Sequence, residues 1–346
     1  MDEITASPEI SRKENKMGVM PINKLIITMS LPMMISMLVQ ALYNIVDSIF
    51  VAQISENALT SVSLAFSMQQ LMLAVSTGTG VGVNALLSKR LGMKDFEGAN
   101  KVANTGVFLA FCSYLVFLVV GLTAVRPFMM MQNSDPEIVQ GGVEYLSVVL
   151  IFSFGLFTQI IMERLVQSTG KTMIAMVTQT IGAVINIIFD PILIFGLLGF
   201  PKLGITGAAI ATVAGQIVAA ILGIILNQTR NKEITVNPLR YRPDLATIGH
   251  IYAVGLPSII MQSISSIMYV GMNKILFTFS STAQAVFGVY FKLQSIIFMP
   301  VFGLNNGVVP IIAYNYGAQK QKRMKKTIKI ACTYAVVIML IGMAVM

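Results

Sequence analysis

Nine apolar stretches, each long enough to cross a bilayer, divide this chain at approximately residues 25–52, 59–87, 102–125, 143–166, 172–198, 204–227, 249–277, 283–311 and 328–346. A span needs on the order of 20 apolar residues, and in hydrocarbon every backbone N–H and C=O must find its partner inside the segment, so such stretches fold as helices. The charge content agrees: 11% of residues are charged and mean hydropathy is +0.77, whereas a soluble domain carries about 25% charged residues. An all-α polytopic membrane protein is expected.

Basic residues set the orientation, because Lys and Arg are retained in short loops on the cytoplasmic side. The segment before the first span and the loops 2–3, 4–5, 6–7 and 8–9, counted with the span ends at Arg164 and Lys329 that border them, hold 20 of the 24 Lys and Arg, while the opposite loops hold only Arg126 and Lys202. This predicts a cytoplasmic amino terminus and a multi-pass protein of the plasma (inner) membrane. The net charge of +9 is then a topological bias rather than a nucleic-acid-binding face, and no nucleic-acid partner is expected. Residues 1–20 read as a flexible cytoplasmic tail without a cleavable signal.

The chain also repeats itself at a spacing of 225 residues. Leu31-Pro32 recurs as Leu256-Pro257, Ser55 as Ser280, Phe66 as Phe291, Gln69 as Gln294, Gly78 as Gly303, Gly82-Val83 as Gly307-Val308 and Gly92 as Gly317. The matches fall on prolines and glycines, which fix helix breaks and close packing. Six helix starts separate the copies, so both enter the membrane from the same side, as parallel repeats. The expected division is a tail at 1–20, a first lobe of helices 1–6 at 21–228, an inter-lobe linker at 229–247 and a partial second lobe of helices 7–9 at 248–346. A whole second copy would run past about residue 450, 225 beyond the first copy's end near 228, so the chain is expected to be truncated.

Ionisable groups inside a span cost several kcal/mol each and default to functional sites. Asp47 and Asp190 both fall in the outer half of their spans, where one cavity could hold them. Asn186 precedes Asp190 by four residues and shares its helical face. Pro191 withdraws one backbone donor and frees a carbonyl near residue 187 for an ion or water. Together these residues suit a proton or cation; the alternative is that they only tie helices together. Lys274 can extend its stem to the interface, and Lys292 is either a counter-charge or a gating contact. Glu163 and Arg164 are expected as a solvated or salt-bridged pair at the cytoplasmic surface.

Other chemistry is poorly supported. Gly170-Lys171-Thr172 lacks the upstream glycine of a phosphate loop, since position 165 is Leu, so an ATP-driven pump is not expected. Gly78, Gly80 and Gly82 fit close helix packing. The only histidine is His250, and Cys112 and Cys332 lie in separate spans, which excludes His-based metal clusters, triads and a disulfide framework. No enzyme is expected, and no cofactor beyond a coupling ion, H⁺ or Na⁺. The 24 methionines offer flexible, polarisable surface suited to varied apolar ligands, or ordinary packing.

Five segments, taken in order, resemble the multidrug and toxic compound extrusion (MATE) transporters: Leu31-Pro32 through Tyr43-Asn44-Ile45-Val46-Asp47; Ser88-Lys89-Arg90-Leu91-Gly92; Asn186-Ile187-Ile188-Phe189-Asp190-Pro191; Gly207-Ala208-Ala209-Ile210-Ala211-Thr212; and Ala313-Tyr314-Asn315-Tyr316-Gly317-Ala318. The resemblance is to bacterial members with their acids in the amino-terminal lobe. It implies two six-helix lobes and a monomeric antiporter that exports lipophilic, often cationic molecules in exchange for protons or sodium. It also implies an ion site at Asp47, Asn186, Asp190 and Thr212, with Tyr145 near it, sodium being held by Asp47, Asn186 and Asp190, and a bending proline at Pro32. The expected substrate cavity is lined by Met33, Met37, Gln40, Tyr43, Asn44, Gln262, Met272 and Lys292. Two alternatives stay open: a flippase for lipid-linked saccharides from the same superfamily, and a non-transporting fragment.

Overall fold

The computed structural model describes residues 14–237, 243–279 and 281–345, with side chains for only some of residues 265–296. Among the described residues its regular secondary structure is all helical, joined by short turns and loops. In order the helices are α1 (Lys16–Val19), α2 (Ile22–Ala52), α3 (Glu56–Gly92), α4 (Phe96–Thr123), α5 (Val125–Gln132), α6 (Pro136–Ile151), α7 (Phe154–Ser168), α8 (Thr172–Phe195), α9 (Ile205–Arg230), α10 (Leu245–Phe279), α11 (Ser281–Gly317) and α12 (Gln321–Val345). A 3₁₀ turn, Leu197–Gly199, follows α8.

Among the described residues, eight of these helices are long and apolar enough to cross a membrane, and α6 and α7, bent by 47° against each other, make a ninth if the pair is taken as one broken span. Hydropathy alone predicts that fourth span as one rod over 143–166. The break falls at Phe152 and Ser153, where the ladder is interrupted and the Ser153 N–H turns to the Leu150 carbonyl at 3.3 Å.

Polar residues placed by the sequence close the helix ends. Ser55 accepts from the Ala58 N–H at 3.0 Å and Asp95 from the Gly98 N–H at 2.8 Å, each a cap of about 1 kcal/mol. Asp135 caps α6, with Pro136 at the first helical position, where its missing N–H costs nothing. Gly196 ends α8 in the left-handed region at φ 75°.

The first half of the chain packs as one bundle: α3 against α4, α6 and α7; α7 against α9; α8 against α2 and α9. Leu87, Leu146, Leu150, Leu165 and Ile194 are fully buried in it. From the second half, α10 lies on α3, α11 on α2 and α3, and α12 on α11.

The seam between the halves obeys the 225-residue repeat. A side chain on Gly92 would strike the Tyr314 carbonyl, and one on Gly317 would strike the carbonyl of Lys89. Adding 225 to Gly92 and Lys89 gives Gly317 and Tyr314, so the two contacts are images of one another. Gly78 against Ile259 and Gly303 against Met34 form a second such pair. The repeated glycines are therefore contact residues that let α3 and α11 meet the opposite half backbone to backbone.

Polar bonds also cross the seam within the spans, away from the basic end, the end of the bundle that carries most of the Lys and Arg. Ser30 donates to the Leu304 carbonyl at 3.2 Å and Thr77 to Gln262 Oε1 at 2.8 Å.

Two sequence expectations need correction here. The tail predicted over 1–20 is docked across the basic end in its described part, residues 14–20: Met17 is fully buried and the Asn15 amide donates to the Thr169 carbonyl at 3.0 Å. The linker predicted over 229–247 begins as helix, since α9 runs to Arg230, and the next residues are tied to α4. The Thr235 and Asn237 N–H groups donate to Asn100 Oδ1 and Asn104 Oδ1, both at 2.7 Å. Lys101 pairs with Asp244 at 3.0 Å. Residues 1–13 and 238–242 lie outside the described residues.

Candidate functional site

The residues expected from sequence to form an ion site converge inside the first half. α8 carries Asn186 and Asp190 one turn apart, so both point the same way, toward α2 and α9. Asp190 is fully buried and Asn186 is 3% exposed, so neither can be satisfied by solvent. In the amide orientation that suits both its ends, the Asn186 nitrogen donates to Asp190 Oδ2 at 3.2 Å. Its oxygen then accepts from the Thr212 N–H and hydroxyl on α9, each at 3.2 Å.

From α2, half-buried Asp47 brings its carboxyl within hydrogen-bonding reach of Asp190. Two carboxylates that close cannot both stay charged without a proton or cation between them. Asp47 Oδ1 is buried and has no hydrogen-bond partner among the described residues. Tyr43, one turn earlier on α2, and Tyr145, 3% exposed on α6, lie near enough to feel both acids. Gln69 on α3 fixes the Tyr145 hydroxyl by donating to it at 3.3 Å.

A cavity of about 90 Å³ opens beside Asn186 and Thr212 and extends between α2, α7, α8 and α9 to Glu163 and Arg164. It is large enough for several water molecules. Two amide oxygens with no hydrogen-bond partner among the described residues, Gln179 Oε1 and Gln216 Oε1, are buried in residues of its wall.

Of the residues predicted to line a substrate cavity, Met37, Gln40 and Tyr43 line this one, and Gln179 donates to Gln40 at 3.0 Å. Met33 does not: it is 1% exposed, packed with Val166 and Ala175, and serves as core. Asn44 is exposed and Met272 is 42% exposed, both outside the cavity wall. Gln262 stands at the seam on Thr77, which itself lines the cavity. The side chains of Lys274 and Lys292 lie outside the described residues. Pro32 is buried in α2, which runs unbroken through it.

Glu163 and Arg164 are the second correction to the site. Predicted at the surface, they are 8% and 7% exposed, and no salt bridge joins them. Gln159 donates to Glu163 at 3.0 Å, and Arg164 donates to Gln167 at 2.9 Å and across the seam to Asn306 at 3.1 Å. Glu163 and Arg164 are buried because α7 packs among α3, α4, α8 and α9. A sequence signal was present in Gln159, Glu163 and Gln167, polar at four-residue spacing within an apolar run.

No group of three or more His, Cys, Asp or Glu that could hold a metal exists among the described residues. What remains is a membrane-embedded acid pair, braced by an amide and a hydroxyl, beside a polar cavity.

Comparison with known proteins bears on this site. The family model MatE matches residues 32–192 and 257–346. The multidrug export protein MepA of Staphylococcus haemolyticus is 28% identical over 317 residues, which is 91% of this chain and 69% of that protein. MepA of Staphylococcus aureus is 28% identical over 310 residues, 89% of this chain and 68% of that protein. Among solved structures, the outward-facing conformation of a multidrug resistance MATE family transporter of the MOP superfamily superposes with a TM-score of 0.90 at 26% identity, covering 96% of this chain and 73% of that one. A MOP superfamily transporter from Pyrococcus furiosus, described as having a binding pocket of reverse polarity, gives 0.86 at 25% identity over 95% of this chain and 72% of its own.

Proposed function

This chain belongs to the MatE family, and from that premise we propose that it is an ion-coupled antiporter that exports small lipophilic or cationic molecules. It is a multi-pass membrane transporter, not an enzyme. The observation that carries the ion coupling is the contact between Asp47 and Asp190, with Asn186 and Thr212 closing the other side of Asp190. Such a pair holds a proton or a sodium ion and is strained without one, so loading and unloading it stabilises different states of the helices around it.

In this reading the basic end faces the cytoplasm, by the distribution of Lys and Arg. The ion enters from the opposite side while the halves are closed at the basic end, and the exported molecule leaves as the site loads. The halves then rock so that the basic end opens and the next molecule binds. Coupling follows only if ion and exported molecule prefer different states. Support for drug-like cargo comes from the MepA relatives, which are named multidrug export proteins, and from the mixed polar and apolar cavity wall of Met37, Leu73, Tyr43 and Gln159.

The test uses the protein in sealed vesicles loaded with a fluorescent lipophilic cation. Efflux driven by a pH gradient is compared with efflux driven by a sodium gradient, for the parent and for Asp47→Asn and Asp190→Asn. One gradient should drive export, and each substitution should remove that dependence. Gradient-driven export that survives both substitutions would overturn the reading.

A further inference from the structure

We infer that residues 14–20 form a latch across the basic end of the bundle, one that holds the two halves together in this conformation and must release before that end can open. The segment lies between a turn of the first half and a corner of the second, and it is bonded to both.

On the first-half side, the Asn15 amide donates to the Thr169 carbonyl at 3.0 Å and to Glu233 Oε2 at 2.8 Å. The Lys16 stem lies over Gly170. On the second-half side, the grip is on the backbone of the segment. The Asn315 amide donates to the Met17 carbonyl at 3.0 Å. Arg323 donates to the carbonyls of Met17 at 3.2 Å and Met20 at 2.7 Å. Lys320 donates to the Gly18 carbonyl at 3.1 Å and pairs with Glu14 at 2.5 Å. Between the two sets, Met17 is fully buried against the common core.

Three features separate this arrangement from a tail that merely rests on a surface. The segment turns out of the helical path, as one short helix capped by Asn15 and ended at an extended Met20. That geometry leaves the Met17, Gly18 and Met20 carbonyls free to accept from the second half. The donors come from the α11–α12 corner, and Asn315 is fully buried, so its amide has no water to fall back on. The anchors also sit on opposite sides of the glycine seam: Thr169 and Glu233 follow α7 and α9, whereas Asn315, Lys320 and Arg323 belong to α11, the corner and α12. Bonds near 3 Å at both ends cannot survive a separation of the halves. One set has to break.

The transport consequence rests on the alternating-access reading above, but the conformational claim can be measured without transport. The full chain, with Cys112→Ser and Cys332→Ser, carries nitroxide labels at Lys232→Cys and Lys326→Cys, which lie on the two sides of the seam and are exposed. Distances are read by double electron–electron resonance in lipid nanodiscs. Arg323→Gln and Asn15→Ala are compared with Lys322→Gln, an exposed neighbour outside the latch. Loss of the charge-assisted hydrogen bonds from Arg323 to the Met17 and Met20 carbonyls should raise the population of the longer distance by about tenfold or more in Arg323→Gln. Asn15→Ala should shift it the same way, and the control should match the parent. Distributions identical to the control in both latch variants, with or without a lowered melting temperature, would overturn the latch.

A second arm guards against a variant that does not fold. Glu14→Cys and Lys320→Cys, joined by a short reducible cross-linker with the nitroxides held by thioether bonds, should pin the distribution at the short distance, and reduction should shift it past the parent toward the longer distance, because this variant lacks the Lys320 bonds to Glu14 and to the Gly18 carbonyl. A longer distance that still populates with the linker in place would also sink the inference.

Discussion

Gly92 and Gly317 sit at equivalent points of the repeat, and each presses its α-carbon against the backbone of the residue that precedes the other by three: Gly92 on Tyr314, Gly317 on Lys89. The seam is thus made twice from one pattern. Alanine at either position would place a methyl inside a backbone carbonyl, with no flexible side chain to give way. Gly92→Ala and Gly317→Ala should each destabilise the protein by about 1–3 kcal/mol. Gly249→Ala, with nothing within 4 Å, should leave the melting temperature unchanged. Thermal unfolding in detergent checks all three.

Thr212 supplies both a hydroxyl and a backbone N–H to Asn186. Thr212→Val keeps the shape and removes the hydroxyl, leaving the amide half-held and Asp190 less firmly braced. The expected outcome is efflux slowed by about fivefold to tenfold at a fixed gradient, equivalent to about 1 kcal/mol, with the circular dichroism spectrum of the parent. Initial rates in vesicles measure it.

Arg164 and Asn306 are bonded across the seam from within the bundle. Removing either leaves the other without its bond across the seam; Asn306 is partly buried and Arg164 keeps its bond to Gln167, so each loss should cost about 1 kcal/mol. Arg164→Met and Asn306→Ala should therefore be non-additive, the double variant being more stable than the sum of the single losses by about 0.5–1 kcal/mol. A double-mutant cycle on thermal stability reads this directly.

The Asp244 carboxyl, outside the spans, is held down at about 2, first by the Thr247 hydroxyl and then by Lys101. The unfolded value is about 3.9. Because the folded value is the lower one, the stabilisation is fully present above about pH 4 and is lost as pH falls through about 2. Asp244→Asn should lower the melting temperature by the same small amount at pH 7 and pH 5, and the gap to the parent should narrow below pH 4. A gap that changed between pH 7 and pH 5 would contradict the assignment.

The spans were legible because hydrocarbon leaves a chain few options, and apolar length alone marks them. Asp47 and Asp190 were legible for the same reason in reverse: a carboxyl inside such a stretch is costly enough to stand out. Asn186 followed from its four-residue spacing, while Thr212 and Tyr145 came only with the family resemblance, since a threonine or tyrosine in a span carries no cost that would flag it. Glu163 and Arg164 were misplaced because apolar length marks where a span ends but not which neighbours cover that end, and the bend at Phe152 and Ser153 has no proline or glycine at the break itself to announce it. Residues 14–20 were read as tail because a short polar segment can dock through its own carbonyls, which no side-chain pattern reveals. Met17, Gly18, Val19 and Met20, an apolar run ahead of Pro21, were the trace of it.

The glycine seam also dictates an order of assembly. Gly92 emerges from the ribosome 225 residues before Gly317, and although α3 packs early against α4, α6 and α7, its seam face has no partner until α10 and α11 have been made. A long stretch of synthesis therefore passes with that face turned to lipid. Close packing through small residues suits such a wait, because a bare backbone groove loses little in hydrocarbon and closes only when its complement arrives.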